Sequence, residues 1–129
     1  MKALRSLTLL AALAAGHAYA ACTYPTSPTD IPDGNSATLE QMIAAQKAVK
    51  QFDQEINAYT ACLKLESDAA IAKLDEGSDD AKKKEEQKAE LARMQVQKHN
   101  AAVEADEALA QRFNEQLKVF KAKNANNKK

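Results

Sequence analysis

Residues 38–66 read TLEQMIAAQKAVKQFDQEINAYTACLKLE. Apolar residues recur in this stretch at intervals of seven and again three residues later, which is the a/d pattern of a helix that packs along another helix. The first row is Met42, Val49, Ile56 and Leu63, and the second is Ala45, Phe52 and Tyr59. At the start, Thr38 and Gln41 are spaced as a capping box, in which the Gln41 side chain reaches back to the backbone of the cap residue. We therefore expect a long helix that begins near residue 37.

The residues that follow predict a second helix, antiparallel to the first. Gly77 is suited to end the first helix, and Ser78-Asp79-Asp80 supplies N-cap residues for the next. Two apolar rows then follow, together with two aromatic residues: Val96, Val103, Ala110 and Leu117; Leu91, Met94, Ala102 and Leu109; Phe113 and Phe120. The short turn near residues 77–80 makes the helices antiparallel neighbours. The predicted fold is all-α, a long coiled-coil-like two-helix hairpin over residues 37–121, with Leu63 opposite Leu91 and Met94.

Residues 21–36 cannot form a regular helix, because they contain all three prolines and the turn signal Asp33-Gly34-Asn35. The chain has only two cysteines, Cys22 in this stretch and Cys62 in the first helix. Fourteen extended residues reach up to about 46 Å, and 26 helical residues span about 39 Å. The lengths match, so we expect an extended, proline-rich strap that lies along the first helix and is pinned by a Cys22–Cys62 disulfide.

Residues 1–20 have the pattern of a secretory signal peptide. Lys2 and Arg5 precede a leucine- and alanine-rich run, and Ala18-Tyr19-Ala20 fits the cleavage site. We therefore expect an exported, periplasmic protein with no stable membrane insertion after cleavage, in a compartment that favours disulfides. The alternative is a lipoprotein acylated at Cys22. That pattern usually has an aliphatic residue where Tyr19 stands, and acylation would leave Cys62 as a lone thiol.

The charge of the chain argues against nucleic-acid binding. It has 18 basic and 18 acidic residues, and removal of Lys2 and Arg5 leaves 16 − 18 = −2, whereas nucleic-acid binding needs a net basic surface. Residues 122–129 read AKNANNKK and are expected to form a disordered lysine- and asparagine-rich tail. A contact between this tail and anionic lipid is the alternative role.

The candidate chemistry is sparse. His99 is the only histidine after the predicted signal peptide, and a metal site needs several convergent ligands. Five carboxylates could pair for acid–base work or ion binding, but their spacing is that of ordinary helix surface charge: Asp53, Glu55, Glu104, Asp106 and Glu107. Phosphate-binding, hydrolase, zinc-protease and EF-hand motifs do not occur. We expect no catalytic, cofactor-binding or metal-binding residues and a non-enzymatic protein.

Four segments resemble a family of small uncharacterised exported proteins of Gram-negative bacteria. They are Cys22-x-x-Pro25-x-x-Pro28, Ile31-Pro32-Asp33-Gly34, Ala37-Thr38-Leu39-Glu40-Gln41-Met42 with Gln46 and Val49, and Tyr59-x-x-Cys62-Leu63-x-x-Glu66. The resemblance covers about residues 22–66 and implies that the strap, the helix start and the second cysteine form one unit. It implies no activity.

The sequence as a whole predicts a structural or protein-interaction protein of the cell envelope, acting through self-association or an unknown protein partner. A wide apolar helix face is typical of such association. The alternatives are a lipid-anchored adaptor acylated at Cys22 and a periplasmic holdase-type chaperone. A trimeric chaperone of that kind extends helical-hairpin tentacles, and the resemblance to it is one of shape only, since this chain lacks its strongly basic charge and its β-sheet body.

Overall fold

The computed structural model describes residues 21–77 and 80–126. Within them the chain forms two α-helices, α1 (Leu39–Gly77) and α2 (Ala81–Asn126), which pack side by side as a hairpin. No strand occurs in these residues, so the predicted all-α hairpin is confirmed. The predicted signal peptide at 1–20 lies outside the described residues.

Both helix starts follow from local sequence. The Thr38 N–H donates to Gln41 Oε1 at 2.8 Å, and the Gln41 N–H donates to Thr38 Oγ1 at 3.2 Å. This is the predicted capping box, and it places the first helical residue at Leu39 rather than residue 37. At the start of α2 the Lys83 N–H donates to Asp80 Oδ1 at 3.1 Å, so Asp80 is the N-cap.

The α1 side of the core agrees with the sequence pattern. Six of its side chains are buried: Met42, Ala45, Phe52, Ile56, Tyr59 and Leu63. They form two clusters with buried residues of α2, one containing Ala102 and Leu109 and the other containing Phe113. Ile56 and Ala102 share a cluster, as the antiparallel register requires.

The two apolar rows predicted on α2 are buried to different extents, because Ala102 and Leu109 of one row lie in the core, whereas Val103, Ala110 and Leu117 of the other are half-buried. Val96 is 53 % exposed, whereas Ala102 and Leu109 are buried. Phe113 lies three residues after Ala110 and four after Leu109, and both spacings occur in a/d patterns. The helix turns the larger Leu109 inward, because burying it removes more apolar area from water than burying alanine, and this choice leaves Val96 outside.

The strap packs on the helices with a period of three residues. From residue 22 to residue 31 the half-buried members are Cys22, Pro25, Pro28 and Ile31, and the residues between them are exposed; Pro32, which follows directly, is half-buried as well. Three residues per turn is the period of the polyproline II helix, which the prolines favour. One edge of the strap therefore faces the helices, and two edges face solvent.

The strap is attached to α1 at its N-terminal end. Cys22 and Cys62 form a disulfide with a Cα–Cα distance of 5.8 Å. Beside it, the rings of Tyr24 and Tyr59 meet edge to face with centroids 5.1 Å apart. The predicted position of the strap along α1 is thus observed.

The other end of the strap lies on α2, which the sequence did not indicate. The Gly34 N–H donates to Gln116 Oε1 at 2.8 Å, and Lys123 Nζ donates to the Asn35 carbonyl. The expected end of α2 near Lys121 was wrong, since the helix continues to Asn126. The bond from Lys123 explains part of this extension, because it ties the last turns to the strap. Of the predicted tail, 122–126 is helical, and 127–129 lies outside the described residues.

Candidate interaction surface

The strap divides the hairpin into two unlike halves. The covered half consists of residues 22–63 and 102–126, and the uncovered half consists of 64–77 and 80–101. All the buried residues in the described parts of the chain lie in the covered half. Apolar side chains of the uncovered half are at most half-buried, because two helices alone bury a single seam and nothing described here lies over it.

A groove opens in the uncovered half immediately beyond the disulfide. Its volume is about 180 Å³. Its walls are four α1 residues and four α2 residues, each set at helical spacing: Leu63, Glu66, Ser67 and Ala70; Leu91, Met94, Gln95 and Lys98. The floor is apolar, while Glu66 and Lys98 place opposite charges on its two sides. The groove continues the face of α1 that the strap covers as far as Cys62.

The two sides of the uncovered half carry opposite net charge. The α1 segment 64–77 has two lysines and four acidic residues, so its net charge is 2 − 4 = −2. The α2 segment 80–101 has six basic and four acidic residues, so its net charge is 6 − 4 = +2. Attraction between the segments helps to keep the helices together where the apolar core is absent.

One ion pair crosses the hairpin near the turn. Lys88 Nζ lies 2.7 Å from Asp75 Oδ1, and Lys84 Nζ donates to the Asp75 carbonyl at 3.2 Å. The hydrogen bond from Lys88 lowers the pKa of the Asp75 carboxyl, and the same bond raises the pKa of Lys88. Both groups are solvent-accessible, so the pair aligns the helix ends more than it stabilises the fold.

Two of the five candidate carboxylates meet between the helices. Asp106 of α2 lies close enough to Asp53 of α1 for the two carboxyl groups to interact. Burial raises the pKa of the Asp106 carboxyl, and the charge of Asp53, the hydrogen bond to Asp53 and the charge of Glu107 raise it further. Asp106 Oδ1 is buried and has no hydrogen-bond partner in the described residues. The sequence signal was present, because Asp106 lies between Ala102 and Leu109 on the buried face of α2.

The remaining candidates are not brought together. His99 is half-buried on α2, and Glu55 accepts a hydrogen bond from the neighbouring Gln51 side chain at 2.8 Å. No group of three histidine, cysteine or acidic residues able to hold a metal ion occurs in residues 21–77 and 80–126. The groove beyond the disulfide is lined by residues of both helices.

The chain has no match among family models, curated proteins or solved structures. The resemblance of residues 22–66 to exported Gram-negative proteins therefore stays a prediction. Among the described residues, neither helix combines the length and the apolar character that crossing a membrane requires.

Proposed function

We propose that the protein is an exported, non-enzymatic interaction protein of the cell envelope, and that it binds its protein partner, or a second copy, through the uncovered half of the hairpin. The observation that carries this proposal is that the strap covers only one half of a continuous helix pair. The strap closes the seam from Met42 to Leu63, and the same seam then opens as a groove with Leu91 and Met94 in its walls. Apolar surface left open in this way is typical of association sites.

The disulfide supports the soluble form of this proposal over the lipid-anchored one. Cys22 and Cys62 form a disulfide, and a sulfur atom that holds a disulfide cannot also hold an acyl chain. An envelope location fits this bond, since disulfides persist in oxidising compartments. The mass of the non-reduced protein from the producing cells distinguishes the two forms, because acylation would add the mass of a lipid at Cys22.

Photocrosslinking in intact cells tests the interaction surface. A photoreactive amino acid replaces Met94, which is 39 % exposed in the uncovered half, or Ile43, which is 44 % exposed in the covered half. Similar exposure makes Ile43 the matched control. We expect discrete adducts from position 94 and none from position 43, in a periplasmic or envelope fraction.

The mass of the adduct identifies the mode of action. An adduct of twice the chain mass indicates self-association, and a larger discrete adduct indicates a different partner. Many heterogeneous adducts, with suppression of client aggregation at stoichiometric amounts, would favour the holdase-type chaperone instead. Equal labelling from both positions, or none from either, would contradict the proposed surface.

A further inference from the structure

The strap carries a cluster of free hydroxyl groups. Thr23, Thr26, Ser27 and Thr29 lie within seven residues, and all four are exposed. None of their hydroxyls takes part in a hydrogen bond among the described residues, whereas the hydroxyls of Thr38 and Thr60 bond to the backbone. Segments rich in threonine, serine and proline are typical acceptors of O-linked sugars in exported proteins.

The period of three keeps these hydroxyls accessible. Pro25 and Pro28 face the helices, so the threonines at 23, 26 and 29 follow one another along a single solvent-facing edge. Between residues 23 and 30 the one backbone hydrogen bond in the structure is that from Ile31 N–H to the Thr29 carbonyl, at 3.3 Å. The backbone of the strap is thus extended and free to be bound along its length by a modifying enzyme, as enzymes and binding domains bind extended peptides.

Two adjoining hollows lie between this edge and α1. One has a volume of about 450 Å³ and is lined by Thr26, Ser27 and Thr29 of the strap. The other has a volume of about 600 Å³, and Thr29 lines this one as well. Both hollows are open to solvent, so a group attached to the strap can enter them from outside.

The α1 wall of these hollows is suited to a saccharide. Ala44 and Ala48 provide small apolar surface, and Gln41, Gln51 and Glu55 place amide and carboxylate groups around it. Sugars combine apolar C–H faces with hydroxyl groups, and a site of small apolar residues ringed by hydrogen-bonding groups matches both.

We propose that the strap is an acceptor of O-linked saccharide at Thr26, Ser27 or Thr29, with the first sugar seated in the hollows beside α1. The inference rests on the export that the proposed function includes, because the acceptor must meet an envelope glycosyltransferase. It does not depend on the groove of the uncovered half.

The donor is a glycosyl phosphate, either lipid-linked or nucleotide-linked. The hydroxyl oxygen forms a bond to the anomeric carbon, and the bond from that carbon to the phosphate oxygen breaks. The phosphate leaves with the bonding electron pair, and the hydroxyl proton passes to a base of the transferase. No oxidant or reductant is needed.

Mass spectrometry of the protein purified from the producing cells tests the proposal. We expect the intact mass to exceed that of the polypeptide by whole saccharide units, and fragmentation to map them to residues 26–29. The triple variant Thr26→Val, Ser27→Ala and Thr29→Val should have the bare mass. Two controls should keep the sugar: Thr23→Val, on the same edge but outside both hollows, and Thr60→Val on α1.

Several outcomes would overturn the proposal. An exported wild-type protein that starts at Ala21 and has the bare mass would exclude it and leave the proposed function intact, whereas a protein that still starts at Met1 would contradict both. Sugar found at Thr23 or on the helices would also exclude it. To test whether the first sugar lies in the hollows, we look for nuclear Overhauser effects between sugar protons and the methyl groups of Ala44 and Ala48, and we expect to find them. Their absence in the glycosylated protein would show that the sugar does not occupy the hollows.

Discussion

Gly34 and Gln116 connect the C-terminal part of the strap to the C-terminal part of α2. The Gly34 N–H donates to the side-chain Oε1 of Gln116 at 2.8 Å across 82 residues of sequence. A Cβ built on Gly34 would lie 2.1 Å from the Gln116 backbone carbonyl oxygen, so the backbones approach as closely as they do because residue 34 has no side chain.

Replacing Gly34 with alanine should therefore destabilise the protein. The added methyl group meets the backbone of α2, which cannot move as a side chain can, and overpacking of this kind costs about 1–3 kcal/mol. Urea denaturation followed by helical circular dichroism measures the change. The matched control is Gly77→Ala, where nothing lies within 4 Å and alanine should stabilise the helix end by up to ~1 kcal/mol. Equal destabilisation by both changes would show that the approach at Gly34 is not tight in solution.

Removing the disulfide should lower the melting temperature. Cys22 and Cys62 are separated by 40 residues, and closing a loop of that length stabilises a fold by about 4 kcal/mol in the chain-entropy model. The double variant Cys22→Ser/Cys62→Ser leaves no unpaired thiol, and we expect its melting temperature to fall by about 10 °C or more. Reductant should lower the wild-type value similarly and leave the variant unchanged. A wild-type melting curve that is insensitive to reductant would contradict a stabilising bond.

The Asp53–Asp106 pair should make stability depend on pH. The folded-state pKa of Asp106 is raised, so its protonated form is favoured by folding. That contribution is fully present below the unfolded value of about 3.9 and is lost as the pH rises through the raised folded-state pKa. Asp106→Asn stays neutral and can donate to Asp53, so it should be more stable than wild type at pH 7 and similar to it at pH 3.

Denaturation midpoints measured between pH 3 and pH 7 test whether the stability contributed by Asp106 falls as the pH rises. Asp68→Asn is the control, because Asp68 belongs to an exposed pair with Lys64 and such pairs contribute little. A difference between wild type and Asp106→Asn that is constant across the range would mean that Asp106 does not titrate within it.

The rate of amide hydrogen exchange should differ between the two halves of the hairpin, with the boundary at the disulfide. Local opening requires less free energy where few apolar contacts hold the helices, and the uncovered half contains no buried residue in its described parts. Peptides from 64–77 and 80–98 should exchange faster than those from 42–63 and 102–120. In cells, a partner bound to the uncovered half would slow amide exchange in the peptides from 64–77 and 80–98. Uniform protection in the purified monomer would contradict the division.

The sequence predicted α1 better than α2 for a physical reason. Phe52, Ile56 and Leu63 are large and recur on one face, so only one rotation of α1 buries them all. On α2 the pattern includes several alanines, and rows through Leu109 or Ala110 fit almost equally well until packing chooses the larger side chain.

The contacts between segments that are distant in sequence could not be predicted from the sequence pattern. Gly34 was interpreted as a turn residue, and nothing local indicates that it contacts Gln116. The position of Asp106 between Ala102 and Leu109 indicates that it lies on the buried face of α2, but nothing local indicates that Asp53 of α1 lies beside it. The strap position was predictable because its length and the two cysteines leave few arrangements.

The three-residue period of the strap restricts how its length can vary. Cys22 and Ile31 are nine residues apart, which is three turns of a helix with three residues per turn, so the cysteine bonded to α1 and the isoleucine packed against both core clusters lie on the same edge. Inserting or deleting one residue between them would turn one of the two about 120° away from the helices. Insertions or deletions of three residues keep both residues facing inward and shift the strap by about 9 Å along the hairpin, so strap length in related chains should change in steps of three.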